Sequence, residues 1–270
     1  MKFNPNSKII YFERNQQVNN FDEIHSFTNK FISSILLPIT VYENEYYCYK
    51  VVNSNLMTKE LIGSYLAKKI SLSTVDYKIG YANENFYVLS KLFYQSGFFY
   101  TDFLNYFRIT SFFNVNLFQF LFSFIYLNES GVLKKIKNKE LVIDLLKLTA
   151  LDLKMGQVDR HNRNLLLKID SNKEASLAPV FDYGLSYLSR NLEIYENPAV
   201  TIGKGKFSLL SFAHDFPEFR EYVYFLYNTS IEDTLKDIEC EQDIKFEKDE
   251  FDFYIKKDNE YNKILKKIIK

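Results

Sequence analysis

Two runs rich in β-branched and aromatic residues stand in ITVYENEYYCYKVV (Ile39–Val52), where the strand period of two puts Tyr46, Cys48 and Lys50 on one face. The polar Glu43-Asn44-Glu45 between them predicts two strands joined by a hairpin turn. The period then lengthens. In NLMTKELIGSYLAKKISL, Leu61, Ile62, Tyr65, Leu66 and Ile70 fall on one face of a helix. An aromatic strand follows in NFYVLSKLF (Asn85–Phe93). From Gly97 the pattern changes to long apolar helical stretches, roughly Thr101–Leu127, with a break, and Lys139–Met155. Leu165–Ile169 reads as a strand, Asp170–Glu174 as a polar turn and SLAPVFDYG as a second short strand. The tail from Phe216 is helical in pattern and ends in KKDNEYNKILKKIIK, an amphipathic stretch expected to form a surface helix. No internal repeat interrupts this order. The simplest architecture is α+β and bilobal: a small β-rich lobe over residues 1–92 and a larger, mostly helical lobe over 93–270.

Composition narrows the classes. With 270 residues, 47% hydrophobic and 25% charged, the chain has enough apolar content for a sizeable core and too much for wholesale disorder. Its 34 basic and 34 acidic side chains cancel, which argues against direct nucleic-acid binding, since that function carries a basic excess. Cys48 and Cys240 lie far apart and form no Cys-x-x-Cys pair, so neither a disulfide framework nor a zinc site is indicated. A reducing compartment fits. MKFNPNSKIIYFERN lacks the apolar stretch of a signal peptide, so the expectation is a cytoplasmic protein, with export by another route left open. The apolar segment Ser111–Leu127 is interrupted by Asn114, Asn116 and Gln119; it reads as a core helix rather than a transmembrane segment.

The polar residues with chemical potential gather in GQVDRHNRNLLLKID (156–170). Asp159 and Asn164 stand five residues apart, directly before a strand. A kinase-type phosphoryl-transfer loop spaces its residues this way, with an Asp taking the hydroxyl proton and an Asn amide oxygen on the metal. Asp182, in APVFDYG, is placed by the pattern at the end of the next strand and precedes Tyr183-Gly184, much as the metal-binding Asp of a kinase precedes its Phe-Gly. Either motif alone reads equally well as a polar turn or a strand-end Asp. Together and in this order they favour phosphoryl transfer. Upstream, Lys50 shares a strand face with Tyr46 and Cys48, and Cys48 holds the small-residue position two before the lysine. Glu60 comes ten residues later, in the first turn of the expected helix, and can pair with Lys50. Each alone has a plainer reading: an edge-strand lysine, and a carboxylate favoured by the helix dipole. The first glycine is Gly63, so no glycine-rich phosphate loop precedes Lys50. Ser33 and Ser34 are the alternative donors there, beside their reading as plain strand residues.

GQVDRHNRNLLL followed by LAPVFDYGLSY resembles the HipA-like and CtkA-like serine/threonine kinases, whose loop runs Gly-Asn-x-Asp-x-His-x-x-Asn and whose metal strand carries Pro-x-x-Asp. Asp-Arg-His-x-x-Asn is also distantly similar to phosphoinositide kinases. The resemblance is strongest over Leu141–Leu188 and looser over Tyr46–Phe93. It implies a protein-kinase-like fold and an ATP- and Mg²⁺-dependent kinase acting on a Ser or Thr hydroxyl of a protein substrate. Asp159 would be the catalytic base, Asn164 and Asp182 the Mg²⁺ ligands, Lys50 the phosphate contact and Glu60 its anchor. His161 matches the loop histidine that braces the site. An antitoxin-like partner is a further implication. Gln157 departs from the family's Asn but keeps an amide. Two alternatives stand beside this one: a lipid kinase, disfavoured by one Arg against two Glu in GLSYLSRNLEIYENPAV, and a pseudokinase or toxin-like binding module, favoured by the missing glycine loop.

Overall fold

The computed structural model describes residues 2–3, 10–11, 39–51, 54–108, 124–125, 128, 136–157, 160, 164–187, 199–202 and 205–270. In chain order the elements begin with β1 (Lys2–Phe3), β2 (Ile10–Tyr11), β3 (Ile39–Tyr42) and β4 (Glu45–Val51). Helix α1 (Ser54–Lys69), β5 (Tyr77–Ala82), β6 (Asn85–Lys91), β7 (Phe99–Asp102), α2 (Phe103–Phe107) and α3 (Lys139–Met155) follow. Then come β8 (Leu166–Ile169), β9 (Ala175–Leu177), β10 (Ala199–Ile202) and β11 (Gly205–Ser208). The chain closes with α4 (Leu209–Asp215), α5 (Pro217–Tyr227), α6 (Ile231–Gln242), β12 (Ile244–Lys245) and α7 (Lys248–Ile269).

Alternation in the small lobe builds a five-stranded sheet of order β2-β5-β6-β4-β3, antiparallel except where β2 runs parallel to β5. Strand β4 puts Tyr47 and Tyr49 on one face, where they pack with Tyr87 and Leu89. Tyr49 and Tyr87 meet edge to face at 5.5 Å between ring centroids. The even-numbered positions of the pleat, Cys48 and Lys50, take the other face. Helix α1 supports that face with Met57, Leu61, Ile62 and Leu66, all buried in the main core. Strand β5 has no counterpart in the sequence reading, because Gly80 and Lys78 dilute the alternation of YKIGYA. Its pairing with β6 supplies what the pattern lacks.

In the large lobe, β7-β8-β9 form a three-stranded antiparallel sheet beside the helices. The expected helix from Thr101 is corrected here: Thr101 and Asp102 end strand β7, paired with Leu167 and Leu166, and the Asp102 side chain caps α2. Most of Ser111–Leu127 lies outside the described residues, but Phe124 and Ile125 are fully buried in the core. Among the described residues no helix is long and apolar enough to cross a membrane.

Helix α3 matches its sequence boundaries because both ends are written locally. Asn138 accepts the N–H groups of Glu140 and Leu141, and Gly156 takes the left-handed conformation (φ 61°) that stops the helix. A Cβ at 156 would come within 2.0 Å of the Tyr261 ring, so the stop is fixed by space as well as by φ. Strand β9 ends at Leu177, earlier than expected. Pro179 brings no N–H to a ladder, and Val180 bridges instead to Thr74 of the small lobe. Asp182 therefore sits in an irregular segment and not at a strand end. Helix α7 is the last correction. Tyr254, Tyr261 and Leu265 are fully buried, so the amphipathic tail is a core helix packed on α3, α5 and α6.

Candidate active site

Three pieces of chain converge between the lobes: β4, α1 and the segment after Val180. Lys50 Nζ lies 3.0 Å from Glu60 Oε1 and 3.8 Å from Asp182 Oδ1. Glu60 Oε2 accepts the backbone N–H of Tyr183 at 2.9 Å. One carboxylate thus ties the strand lysine to the residue that follows Asp182. Glu60 lies beyond the first turn of α1, so the helix dipole is not what retains it there. Its side chain is wholly buried, whereas Lys50 and Asp182 keep 34% and 36% of theirs exposed and remain open to a ligand. Burial works against the charge on Lys50, but Glu60 and Asp182 outweigh it and hold the ammonium's pKa above the ordinary lysine value.

Asp182 is fixed on every side. It has φ 63°, a left-handed conformation that Asp tolerates better than most residues, and its N–H donates to the Tyr77 hydroxyl at 3.1 Å. The Gln157 amide donates to its carbonyl at 2.8 Å, and Asn164 Nδ2 donates to its Oδ2 at 2.9 Å. Helix α1 comes this close because residue 63 is glycine: a Cβ there would lie 2.2 Å from the Tyr183 ring.

The support beneath the loop is Arg160, which is fully buried. Its guanidinium grips Asp152 with two hydrogen bonds, of 3.1 and 2.8 Å, in the fork geometry that suits carboxylates. Its remaining nitrogen donates to the carbonyls of Phe181 and Asn164, and the group lies 5.3 Å from the Tyr183 ring centroid. Burial disfavours its charge, yet Asp152 more than compensates and raises the pKa above the usual arginine value. Burial pushes the Asp152 carboxyl up, against the pull of Arg160. One side chain therefore holds α3, Asn164 and the residue before Asp182 in register.

Next to Lys50 and Asp182 opens a narrow cleft of about 60 Å³, lined among others by Cys48, Val75, Tyr77, Leu92, Phe93 and Phe181. Phe93 and Phe181 close it with ring centroids 5.8 Å apart. An apolar cleft that ends in one cation, one carboxylate and one amide can hold a flat apolar group at one end and an anion with its counter-cation at the other.

The structure brings together five of the residues singled out in the sequence: Cys48, Lys50, Glu60, Asn164 and Asp182. Asp159, His161, Ser33 and Ser34 lie outside the described residues. Ser186, close behind Asp182, is fully buried. Tyr77, Asp152 and the anchoring role of Arg160 escaped the sequence reading. The pair of opposite charges eight residues apart across Gly156 was the available signal for the last two.

Several solved structures share this fold. The Helicobacter pylori proinflammatory kinase CtkA aligns with a TM-score of 0.60 over 86% of this chain and 92% of its own, at 17% identity. HipA of Shewanella oneidensis MR-1, solved with HipB and operator DNA as a toxin–antitoxin system, aligns with a TM-score of 0.54 over 86% of this chain, at 12% identity. This chain spans 64% of HipA's length. No protein-family model and no curated protein matches the sequence. The chain has the HipA- and CtkA-like kinase fold.

Proposed function

We propose that this protein transfers the γ-phosphoryl group of ATP, with Mg²⁺, to a Ser or Thr hydroxyl of a protein. The observation that carries the proposal is the link Lys50–Glu60–Tyr183 N–H, which sets a charged lysine beside Asp182 and Asn164 at the mouth of an apolar cleft. Phosphoryl transfer asks a protein mainly for positioning and charge neutralisation, and these groups supply both. In this reading the cleft between Cys48 and Phe93 takes the adenine, and Lys50 takes phosphate oxygens.

Asp182 and Asn164 suit Mg²⁺. Protein sites for this ion offer one or two oxygen ligands and leave the rest to phosphate and water. The two side chains already touch, so both reach one space. When bound, the ion neutralises charge on the phosphates. With the Asn164 amide nitrogen facing Asp182, the amide would turn over to offer its oxygen. Asp159, five residues before Asn164, is assigned as the base that accepts the hydroxyl proton, on the spacing of the loop alone.

The test uses labelled ATP and a generic protein acceptor. Asp159→Ala and Asp182→Ala are each expected to abolish transfer. Undiminished transfer in either variant would sink the assignment of that residue. A Mg·ATP-dependent rise in melting temperature should accompany activity, and it should be lost in Asp182→Ala.

A further inference from the structure

Helix α7 is tied to α1, to α3 and to the segment after Asp182. The Tyr254 hydroxyl donates to the carbonyl of Asn55, in the first turn of α1, at 2.9 Å. One turn along, Thr58 Oγ1 donates to Glu250 Oε1 at 2.7 Å. The Tyr254 ring meets the Tyr187 ring edge to face at 5.7 Å, and Tyr187 in turn meets Tyr261 at 6.0 Å. Tyr187 N–H donates to the carbonyl of Met155, the last residue of α3. Further along α7, Asp258 pairs with Lys154 at 2.7 Å, and both side chains are buried. The two lobes are thus joined behind the cleft by one helix.

We infer that Tyr254 is a positioning residue: through Asn55 and Tyr187 it registers the helix that carries Glu60 against the segment that carries Asp182. Tyr254 is fully buried and its hydroxyl bonds Asn55, so it acts on the cleft through α1. Thr58 stands two residues before Glu60 on the same helix and reinforces the contact. A shift of α1 along its axis would draw Glu60 from Lys50 and from Tyr183 N–H at once, because both bonds end on the same carboxylate.

The inference rests on the reading of the cleft as a nucleotide site, so the experiment has two arms. Tyr254→Phe keeps the ring contact with Tyr187 and removes the hydroxyl that bonds Asn55 and meets Thr58; Thr58→Val removes the tie to Glu250. In the first arm, KM for ATP is measured against kcat. Losing one such bond lowers the population of the aligned helix, and KM should rise about fivefold while kcat changes less than about twofold. A purely structural role would lower the melting temperature and leave KM of the folded protein unchanged, and that result would overturn the inference. In the second arm, backbone hydrogen exchange is followed without nucleotide. Exchange should quicken across residues 55–69 and at the Tyr183 amide, and stay unchanged in the β10–β11 hairpin. Unchanged exchange at Tyr183 in both variants would overturn the inference whatever the enzyme does. If wild-type protein binds no ATP, the nucleotide reading fails alone, and the second arm still decides the coupling.

Discussion

Replacing Arg160 by Met removes a buried guanidinium and leaves Asp152 behind it in a fully buried place. Breaking a buried pair in this way costs about 3–5 kcal/mol, because the remaining buried carboxylate has lost its cation. The carbonyls of Phe181 and Asn164 also lose a donor, at about 1 kcal/mol each. Asp152→Leu should be comparably costly for the mirror reason. The double variant Asp152→Leu/Arg160→Met should recover most of the loss, since an apolar pair of similar volume replaces an ion pair whose desolvation nearly cancels its attraction. Urea unfolding followed by far-UV circular dichroism measures this, as the chain has no Trp to report by fluorescence. pH adds a second check. Burial already raises the Asp152 carboxyl, and without Arg160 the attraction that opposes that rise is lost. A carboxyl with a raised folded-state pKa gives its stabilising share below the unfolded value of about 3.9 and loses it as pH climbs through the folded value. Arg160→Met should therefore be least damaged in mild acid and most damaged at neutral pH. A single substitution costing under about 1 kcal/mol, or a double variant as unstable as the summed singles, would refute the reasoning. Even the stable double variant should transfer phosphate poorly, because Asn164 and Phe181 have lost their common anchor.

Two further outcomes follow from the same geometry. Glu60→Gln removes the strongest group holding the Lys50 pKa up, so burial prevails and the lysine titrates below its ordinary value. In the wild type, the stability contributed by Lys50 is complete below the unfolded lysine pKa of about 10.4 and fades only as pH rises beyond it. In the variant the alkaline limb moves to lower pH, and modification of Lys50 by an amine reagent should show the same displacement; an unchanged profile would contradict the assignment. Gly63→Ala sets helix propensity against space. Alanine favours the helix by about 1 kcal/mol, but its Cβ would lie 2.2 Å from the Tyr183 ring, and overpacking of that kind costs about 1–3 kcal/mol. The melting temperature should fall, and by more than for Gly184→Ala, whose nearest obstacle is the movable end of Leu56.

Spacing and residue type made part of this architecture legible in the sequence. The hairpin at Glu43-Asn44, the strand bearing Lys50, helix α1 and the capped helix α3 all have local signatures, and they came out where the pattern put them. The order of Lys50, Glu60, Asn164 and Asp182 was visible too, and the fold places those four within reach of one another. What stayed hidden depends on burial. Arg160, Lys154 and Asp258 look like ordinary solvated charges until their partners across the fold are known. Helix α7 has the polar stripe of a surface helix, yet its aromatic stripe is sunk in the core. Strand β5 exists because β6 pairs with it, a long-range effect that no window of six residues contains.

Helix α7 also sets a schedule. Tyr254 and Asn55 are separated by 199 residues, and strand β1 finds its partner only when Ile244 and Lys245 have been made. At bacterial and eukaryotic synthesis rates, roughly 10–40 s pass between the emergence of Asn55 and that of Tyr254. During that interval α1 packs on α3 without the ties from Tyr254 and Glu250 that fix its register. A nascent chain would therefore lack this alignment until α7 docks. Ribosome-bound intermediates and products broken off before Tyr254 would carry the cleft residues without the register that α7 supplies.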